Sequence, residues 1–448
     1  MLATTLSAQN IYICKDGDYT TQAIAEGIDI DLTESPDSIT FSEPQIPWTV
    51  DVVYNGTTAT VRIPRFVAEK VSCSSGTSSQ VIIVNTDTLH EVTYNVSGSS
   101  TDGSLIIKSD YKMQVNLNNV TLTSSCGEAM RFKCGKRVAL VMAEGSVNTF
   151  ADSNDNGVTP DASDSHKACI YTKGHIELSG AGTLNVTGNY NHAIATKEYF
   201  KVKKTVKAFN ILGAVGDGIH VGEYFQMNGG ELTIDSNTSG DGLQVEYKTD
   251  SLDQLVSDIE NTGGIVICDG TIKLTSGQQD TKCMKADGDI AIKGGTLVIN
   301  AVANGSRGIQ ADGNVTISQD STITTSVTIT ASGSKCTLEE IEEPHKCAGI
   351  KMDGSFFITG GQLTVVASGA STNGIKPERN YTATGGTVLV RASGTNSDGI
   401  KVAGNLYLGA GSSTTALNPG ANSTAVTYSG TYTKVSGATY TGVAPKKK

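Results

Sequence analysis

Short runs of alternating apolar and polar residues recur along the chain. Between 283 and 299 the apolar positions are Met284, Ile290, Ile292, Leu297 and Ile299. Between 350 and 365 they are Ile350, Phe356, Ile358, Leu363 and Val365. Alternation at period two predicts strands with one face inside and one outside. Gly-Gly pairs (Gly294-Gly295, Gly360-Gly361, Gly385-Gly386) separate the second run from the third, where a corner needs backbone angles that only glycine adopts easily. These units leave no room for a regular helix.

The units themselves repeat. GIKMDGSFFITGGQLTVVA, GIKPERNYTATGGTVLVRA and GIKVAGNLYLGAG begin at Gly349, Gly374 and Gly399, 25 residues apart. Equivalent starts lie at Cys169, Ala193, Gly218, Gly242, Cys283 and Gly308, mostly 24 or 25 apart; the steps from Gly242 to Cys283 and from Gly308 to Gly349 are 41 and hold insertions. A unit of three short strands cannot close a core alone and must stack on its neighbours. The expected fold is therefore all-β, a parallel β-helix of ten or more coils, roughly 50 Å long at about 4.8 Å per coil. Strand twist and crossover chirality make it right-handed.

The expected organisation is a signal-peptide remnant (1–10), an N-terminal cap or leading segment (11–75) holding Pro36, Pro44, Pro47, Pro64 and Trp48, the β-helix (76–412), and a C-terminal cap and tail (413–448) where the period dissolves. In the first insertion, DSLDQLVSDIEN sets Leu252, Leu255, Val256 and Ile259 at helical spacing and predicts a short amphipathic helix. The second, SKCTLEEIEEPHK, reads as an acidic loop that Cys336 and Cys347 could staple.

With Ile350 inside, Lys351 and Asp353 point outward. Stacking then gives an outward column His220, Gln244, Lys285, Gln310, Lys351, Lys376, Lys401, and two residues later a column Gly222, Glu246, Asp287, Asp312, Asp353, Glu378, Ala403. Carboxylates in neighbouring coils repel one another unless lysines or a bound cation compensate them. Oxygen clusters of this kind suit Ca²⁺. Candidate metal ligands are Asp287, Asp312, Asp353 and Glu378, with a second set, Asp217, Asp241 and Asp398, just before the repeat glycine. A solvated Lys–Asp ladder and ordinary Asp-Gly turn chemistry explain the same columns without a metal. Tyr171, Tyr199, Tyr224 and Tyr407 are candidates for outward aromatic faces on which sugar rings stack. Lys285, Lys351, Lys376, Lys401 and Tyr224 are the candidate ligand-binding residues.

Composition narrows the classes. Of 448 residues 50 are Gly, charged residues make 18%, and the net charge is −11. A general nucleic-acid binder would carry a basic surface. No apolar run is long enough to span a membrane. The opening MLATTLSAQN resembles the end of a bacterial signal peptide without its basic region, which makes the expected location extracellular. Nine cysteines with neither CxxC nor HExxH give no zinc framework. GAVGDG (213–218) lacks the Lys-Ser/Thr and the helix of a phosphate loop and reads as a turn.

Three segments occur in order: AEGSVNTFADSN (143–154), IELSGAGTLNVTGNYNHAI (176–194), then GDGIHV and GDGLQV. On these, the stretch from Val81 to Gly411 resembles bacterial secreted carbohydrate-binding proteins with a calcium-binding, pectate-lyase-like right-handed parallel β-helix. The resemblance implies a monomeric, extracellular, calcium-assisted binder of plant cell-wall polysaccharide, either an acidic one such as polygalacturonate or cellulose. It implies doubt about metal at the coils where Asp-Gly is replaced by His192-Ala193, Lys282-Cys283 and Arg307-Gly308. Calcium-dependent pectate lyases share the architecture and use Lys or Arg as base for β-elimination. On that alternative Lys351 or Lys376, beside Asp312, Asp353 and Glu378, would be catalytic. A structural or adhesive surface protein is the third reading.

Overall fold

The structure, a computed structural model, describes residues 10–15, 18–23, 36, 38–40, 47–154, 166–337 and 344–448. Among these the chain is all-β, and the one helical element is a single 3₁₀ turn, Val67–Glu69. Three strands alternate along each repeat, and each pairs in parallel with the third strand on. Ile194 faces Ile219, Ile219 faces Leu243, Leu243 faces Met284, Ile309 faces Ile350, and Ile350 faces Ile375. These are the repeat steps read from the sequence, the two long ones included.

The first strands of all repeats form one 15-stranded sheet. The second and third strands belong to a further set of parallel ladders that merge at Met113–Thr123, whose first half pairs with Arg137–Met142 and second half with Val147–Ala151. The whole is consistent with a β-helix or solenoid. The inward positions make continuous apolar ladders: Ile309, Ile350, Ile375 and Ile400 are essentially unexposed, as are Phe356 and Tyr381, whose rings stack at 5.0 Å. Alternation survives strand by strand: Ala348–Met352 buries Ile350 and Met352 and leaves Lys351 half-buried.

Two devices hold the corners. Glycine supplies left-handed backbone: Gly295 has φ +88°, and at Gly98 (φ +86°) an added Cβ would lie 2.1 Å from the Tyr54 carbonyl oxygen. The second device is a polar ladder, in which one side chain accepts the backbone N–H of the equivalent residue one repeat on. Asn314 Oδ1 takes Ser355 N–H (2.9 Å), Ser355 Oγ takes Asn380 N–H (3.3 Å), Asn380 Oδ1 takes Asn405 N–H (2.9 Å) and Asn405 Oδ1 takes Thr431 N–H (2.8 Å). Each bond adds a side-chain tie to the backbone ladders that join one repeat to the next.

Four expectations need correction or comment. The DSLDQLVSDIEN segment is not helical, and Leu252, Leu255 and Ile259 stand exposed. Asp250 Oδ1 accepts the N–H groups of Leu252 (2.8 Å) and Gln254 (3.0 Å), Asp258 Oδ1 accepts that of Glu260 (3.0 Å), and Asp253 has φ +57°. Local Asp-to-backbone bonds thus compete successfully with the helix. Pairing also continues beyond Ser412, where the sequence period fades: Thr424–Tyr428 pairs with Asp398–Val402, and Lys446–Lys447 adds the last strand. Cys336 and Cys347 are both free thiols; a bridge between Cys336 and His345 closes the insertion instead. Within the leading segment, Thr49–Asn55 pairs in parallel with Val92–Ser100 and antiparallel with Thr58–Arg62, so this part belongs to the main sheet. The signal remnant (1–9) and residues 338–343 of the second insertion lie outside the described residues.

Candidate functional site

The outward face of the first-strand sheet carries the lysine column in the expected register: Gln244 faces Lys285, Lys285 faces Gln310, Gln310 faces Lys351, and Lys351 faces Lys376. Lys401 follows because Ile375 faces Ile400. Lys351 Nζ lies 3.5 Å from Asp353 Oδ1, Lys376 Nζ pairs with Glu378, and Lys401 Nζ lies 3.8 Å from Asp398 Oδ2. Partly exposed pairs of this kind contribute about 0–1 kcal/mol each.

Beside these lysines the second insertion returns to the sheet, and Arg307, His345 and Lys346 line one groove of about 230 Å³ together with Lys351, Lys376 and Lys401. Arg307 is anchored on Gln310, and His345 on Asp280 (Nδ1 to Oδ1, 2.7 Å). The groove is cationic on a protein of net charge −11. Burial, then the neighbouring Lys448, pushes the Lys401 ammonium below its ordinary value; Asp398 opposes this and Lys376 adds to it.

The remaining candidates sit elsewhere. Lys285 lies two strands before Lys351, outside the groove. Tyr224 begins a second strand, away from the lysine face, with its ring stacked on Tyr199 at 4.8 Å and Lys201 Nζ 5.6 Å from its centroid. Tyr199 and Tyr171 are nearly buried, Tyr171 beneath the Arg131 guanidinium (5.4 Å), while Tyr407 keeps 36% exposure. No Tyr, Trp or Phe side chain lines the groove among the described residues.

The carboxylates form two separate columns. Asp287, Asp312, Asp353 and Glu378 stack two residues past the lysine column: their N–H groups bond in turn to the carbonyls of Val245, Ala286, Ala311 and Met352. Burial raises the Asp287 carboxyl above its usual range, and Glu246 and Asp312 raise it further. Asp217, Asp241 and Asp398 stand at strand entrances. Asp217 Oδ1 accepts Asp241 N–H (2.8 Å) and Asp241 Oδ1 accepts Lys282 N–H (2.8 Å), the same interlocking as the asparagine ladder. Burial raises the Asp241 carboxyl against the pull of Lys282. Asp398 lies several repeats away, past Arg307, Ala348 and Asn373. The seven carboxylates do not converge on one point.

A second cleft, again of about 230 Å³, opens where the first insertion leaves the sheet and is lined by Lys167, Tyr171, His192, His220, Glu246 and Tyr247 among others. Here Asp217 Oδ2 lies 2.9 Å from His220 Nδ1 and 3.3 Å from His192 Nδ1. Burial opposes ionisation of Asp217, but the hydrogen bonds and charge of these two histidines hold its carboxyl well below the usual range. Beside the cleft, Lys248 Nζ clamps the insertion to Glu198 (2.9 Å) and Glu223 (3.0 Å). Sequence reading missed Arg307, His345 and Lys346. Arg307 stood out only as a break in the Asp-Gly pattern, and the EPHK end of the insertion was masked by its acidic run.

Comparison with known proteins places this geometry in context. A family model described as carbohydrate-binding domain-containing protein matches residues 78–417. A carbohydrate-binding domain-containing protein of Acetivibrio thermocellus is 27% identical over 120 residues, 26% of this chain and 42% of that protein, so less than half of its length is matched. The solved structure of a polysaccharide lyase-like protein from C. thermocellum, a gadolinium derivative, aligns at 18% identity and TM-score 0.46, covering 62% of this chain and 96% of that one.

Proposed function

The chain belongs to the carbohydrate-binding domain-containing protein family, and from that premise we propose that it binds an acidic polysaccharide, of the polyuronate class, along the cationic groove. In the same reading the stack is a right-handed parallel β-helix, and the protein works as an extracellular monomer. One observation carries the proposal: Arg307, His345, Lys346, Lys351, Lys376 and Lys401 converge on one groove of an acidic protein. Uronate carboxylates recur along such a polymer, and strands spaced about 4.8 Å apart present lysines in a row to meet them. Arg307 offers the planar fork that suits a carboxylate. Cellulose is uncharged and is usually gripped by Tyr, Trp or Phe faces, and among the described residues none of these lines this groove.

Calcium fits the opposite column. Glu246, Asp287 and Asp312 follow one another in neighbouring repeats, and a divalent cation that drew these separate carboxylates together would have the all-oxygen donors Ca²⁺ prefers. Its role would be to rigidify the face next to the lysine row. Catalysis is the weaker reading, because each candidate base is already engaged: Lys351 with Asp353 and Lys376 with Glu378.

The test is binding to a panel of polysaccharides, polygalacturonate and cellulose included, in Ca²⁺ and in EDTA, while ultraviolet absorbance is followed. Saturable, salt-sensitive binding to polygalacturonate with flat absorbance is expected. Preference for cellulose would overturn the acidic-glycan assignment, and growth of an unsaturated product would make the protein a lyase.

A further inference from the structure

We infer that the cleft beside the first insertion holds a first-row transition metal such as Zn²⁺, bound by His192 Nδ1, Asp217 Oδ2 and His220 Nδ1. The three atoms lie within 4.8 Å of one another and belong to residues with 13–26% side-chain exposure. Ligands about 2.0–2.2 Å from a tetrahedral ion sit roughly 3.4 Å apart, and the two Asp217 Oδ2 distances, 2.9 and 3.3 Å, are close to this.

The fold presets the donors. His192 and Asp217 occupy the same strand-entrance position in successive repeats, and His220 lies three residues after Asp217, on the strand Ile219–Val221. Asp217 commits Oδ1 to Asp241 N–H (2.8 Å), which leaves Oδ2 as a single, fixed ligand oxygen. On the far side of the His220 ring, Nε2 lies 3.7 Å from Glu246 Oε2, longer than a hydrogen bond. The His192 ring stacks on that of His220 at 4.5 Å. His192 Nδ1 also takes Asp217 N–H at 3.0 Å, and an ion would replace that contact.

The donor set decides which ion. Two imidazole nitrogens and one carboxylate oxygen suit Zn²⁺, Co²⁺, Ni²⁺ or Cu²⁺, whereas Ca²⁺ requires six to eight oxygens. This site therefore differs in donor chemistry from the Glu246–Asp287–Asp312 column, whose Glu246 borders the same cleft. Two of the three ligands, His192 and His220, line the cleft, so the fourth position of a tetrahedral ion is left to water or to a hydroxyl of a bound molecule.

The experiment is calorimetric titration of the full, chelator-stripped chain with Zn²⁺, without glycan, so that its result is independent of polysaccharide binding. We expect stoichiometric binding that excess Ca²⁺ does not displace and that His192→Gln or His220→Gln each weakens by about tenfold or more. His175→Gln, outside the cleft, leaves it unchanged. In the unmutated protein, the Nδ1 resonances of His192 and His220 shift on Zn²⁺ addition, a readout that survives if the variants fold poorly. Absence of binding, displacement by Ca²⁺, or histidine resonances that do not move would overturn the inference.

Discussion

Replacing Lys248 by methionine removes one cation from between two carboxylates. Lys248 Nζ lies 2.9 Å from Glu198 Oε1 and 3.0 Å from Glu223 Oε1. The Glu223 side chain is only 4% exposed, against 22% for Glu198, which His175 also holds at 2.9 Å. Burial raises the Glu223 carboxyl, Lys248 opposes this, and Glu198 adds to it; in Glu198 the bonds from His175 and Lys248 overcome burial and lower the carboxyl. Stripping one partner from a fully buried pair costs about 3–5 kcal/mol. Lys248 is 25% exposed, so water can replace part of its contribution and about 2 kcal/mol is the expected loss. The loss has a pH signature. Without Lys248 the folded-state pKa of Glu223 rises further above its unfolded value. The added destabilisation is then full at pH above the folded pKa and disappears as Glu223 protonates on acidification. Thermal unfolding of the Lys248→Met and unmutated chains at neutral and mildly acid pH reads the difference, and hydrogen exchange in 249–262 reads the freed insertion. A deficit of the same size at both pH values, or unaltered exchange in the insertion, would refute the reasoning.

Other substitutions probe other devices. Gly98→Ala forces a Cβ to within 2.1 Å of the Tyr54 carbonyl oxygen at φ +86°, and should cost several kcal/mol and much of the soluble yield, checked by expression and melting temperature. Asn380→Ala deprives Asn405 N–H of its acceptor and should lower stability by about 1–2 kcal/mol in chemical denaturation. Asp287→Asn removes a mutually repelling carboxylate, so it should stabilise the EDTA-treated protein and abolish stabilisation by Ca²⁺. Thermal shifts in the two buffers check both signs, and a Ca²⁺ response that persists would exclude Asp287 as a ligand.

The repeat steps were legible because side-chain alternation and a fixed period act together. An inward residue such as Ile350 must sit on Ile309 and beneath Ile375, and that constraint writes itself into the spacing. The lysine column was legible for the same reason. The groove was only half legible, because His345 and Lys346 come from an insertion with no counterpart in other repeats to align against. The false helix is instructive: Leu252, Leu255, Val256 and Ile259 have helical spacing, but Asp250 and Asp258 bind nearby backbone and no partner surface rewards the helix. Part of the motif that carries the family resemblance has a structural role. Asn189 Nδ2 donates to the Asp152 carbonyl (2.8 Å), and Asn148 Oδ1 accepts Val120 N–H (3.1 Å), stitching repeats rather than facing a ligand. His192 and His220 were each noted in the sequence, one as a break in the Asp-Gly pattern and one in the outward column, but their pairing was not, because they are 28 positions apart and meet only through stacking.

The central claim is that the groove lysines bind an anionic glycan. Affinity for a defined oligogalacturonate, measured by calorimetry for the unmutated chain and for the Lys351→Gln, Lys376→Gln double variant, tests it most directly. Two half-exposed charge contacts removed together should cost about 1.4 kcal/mol, a tenfold weaker Kd, and flatten the dependence on salt. Unchanged affinity with unchanged salt dependence would contradict the claim and place the glycan on another face.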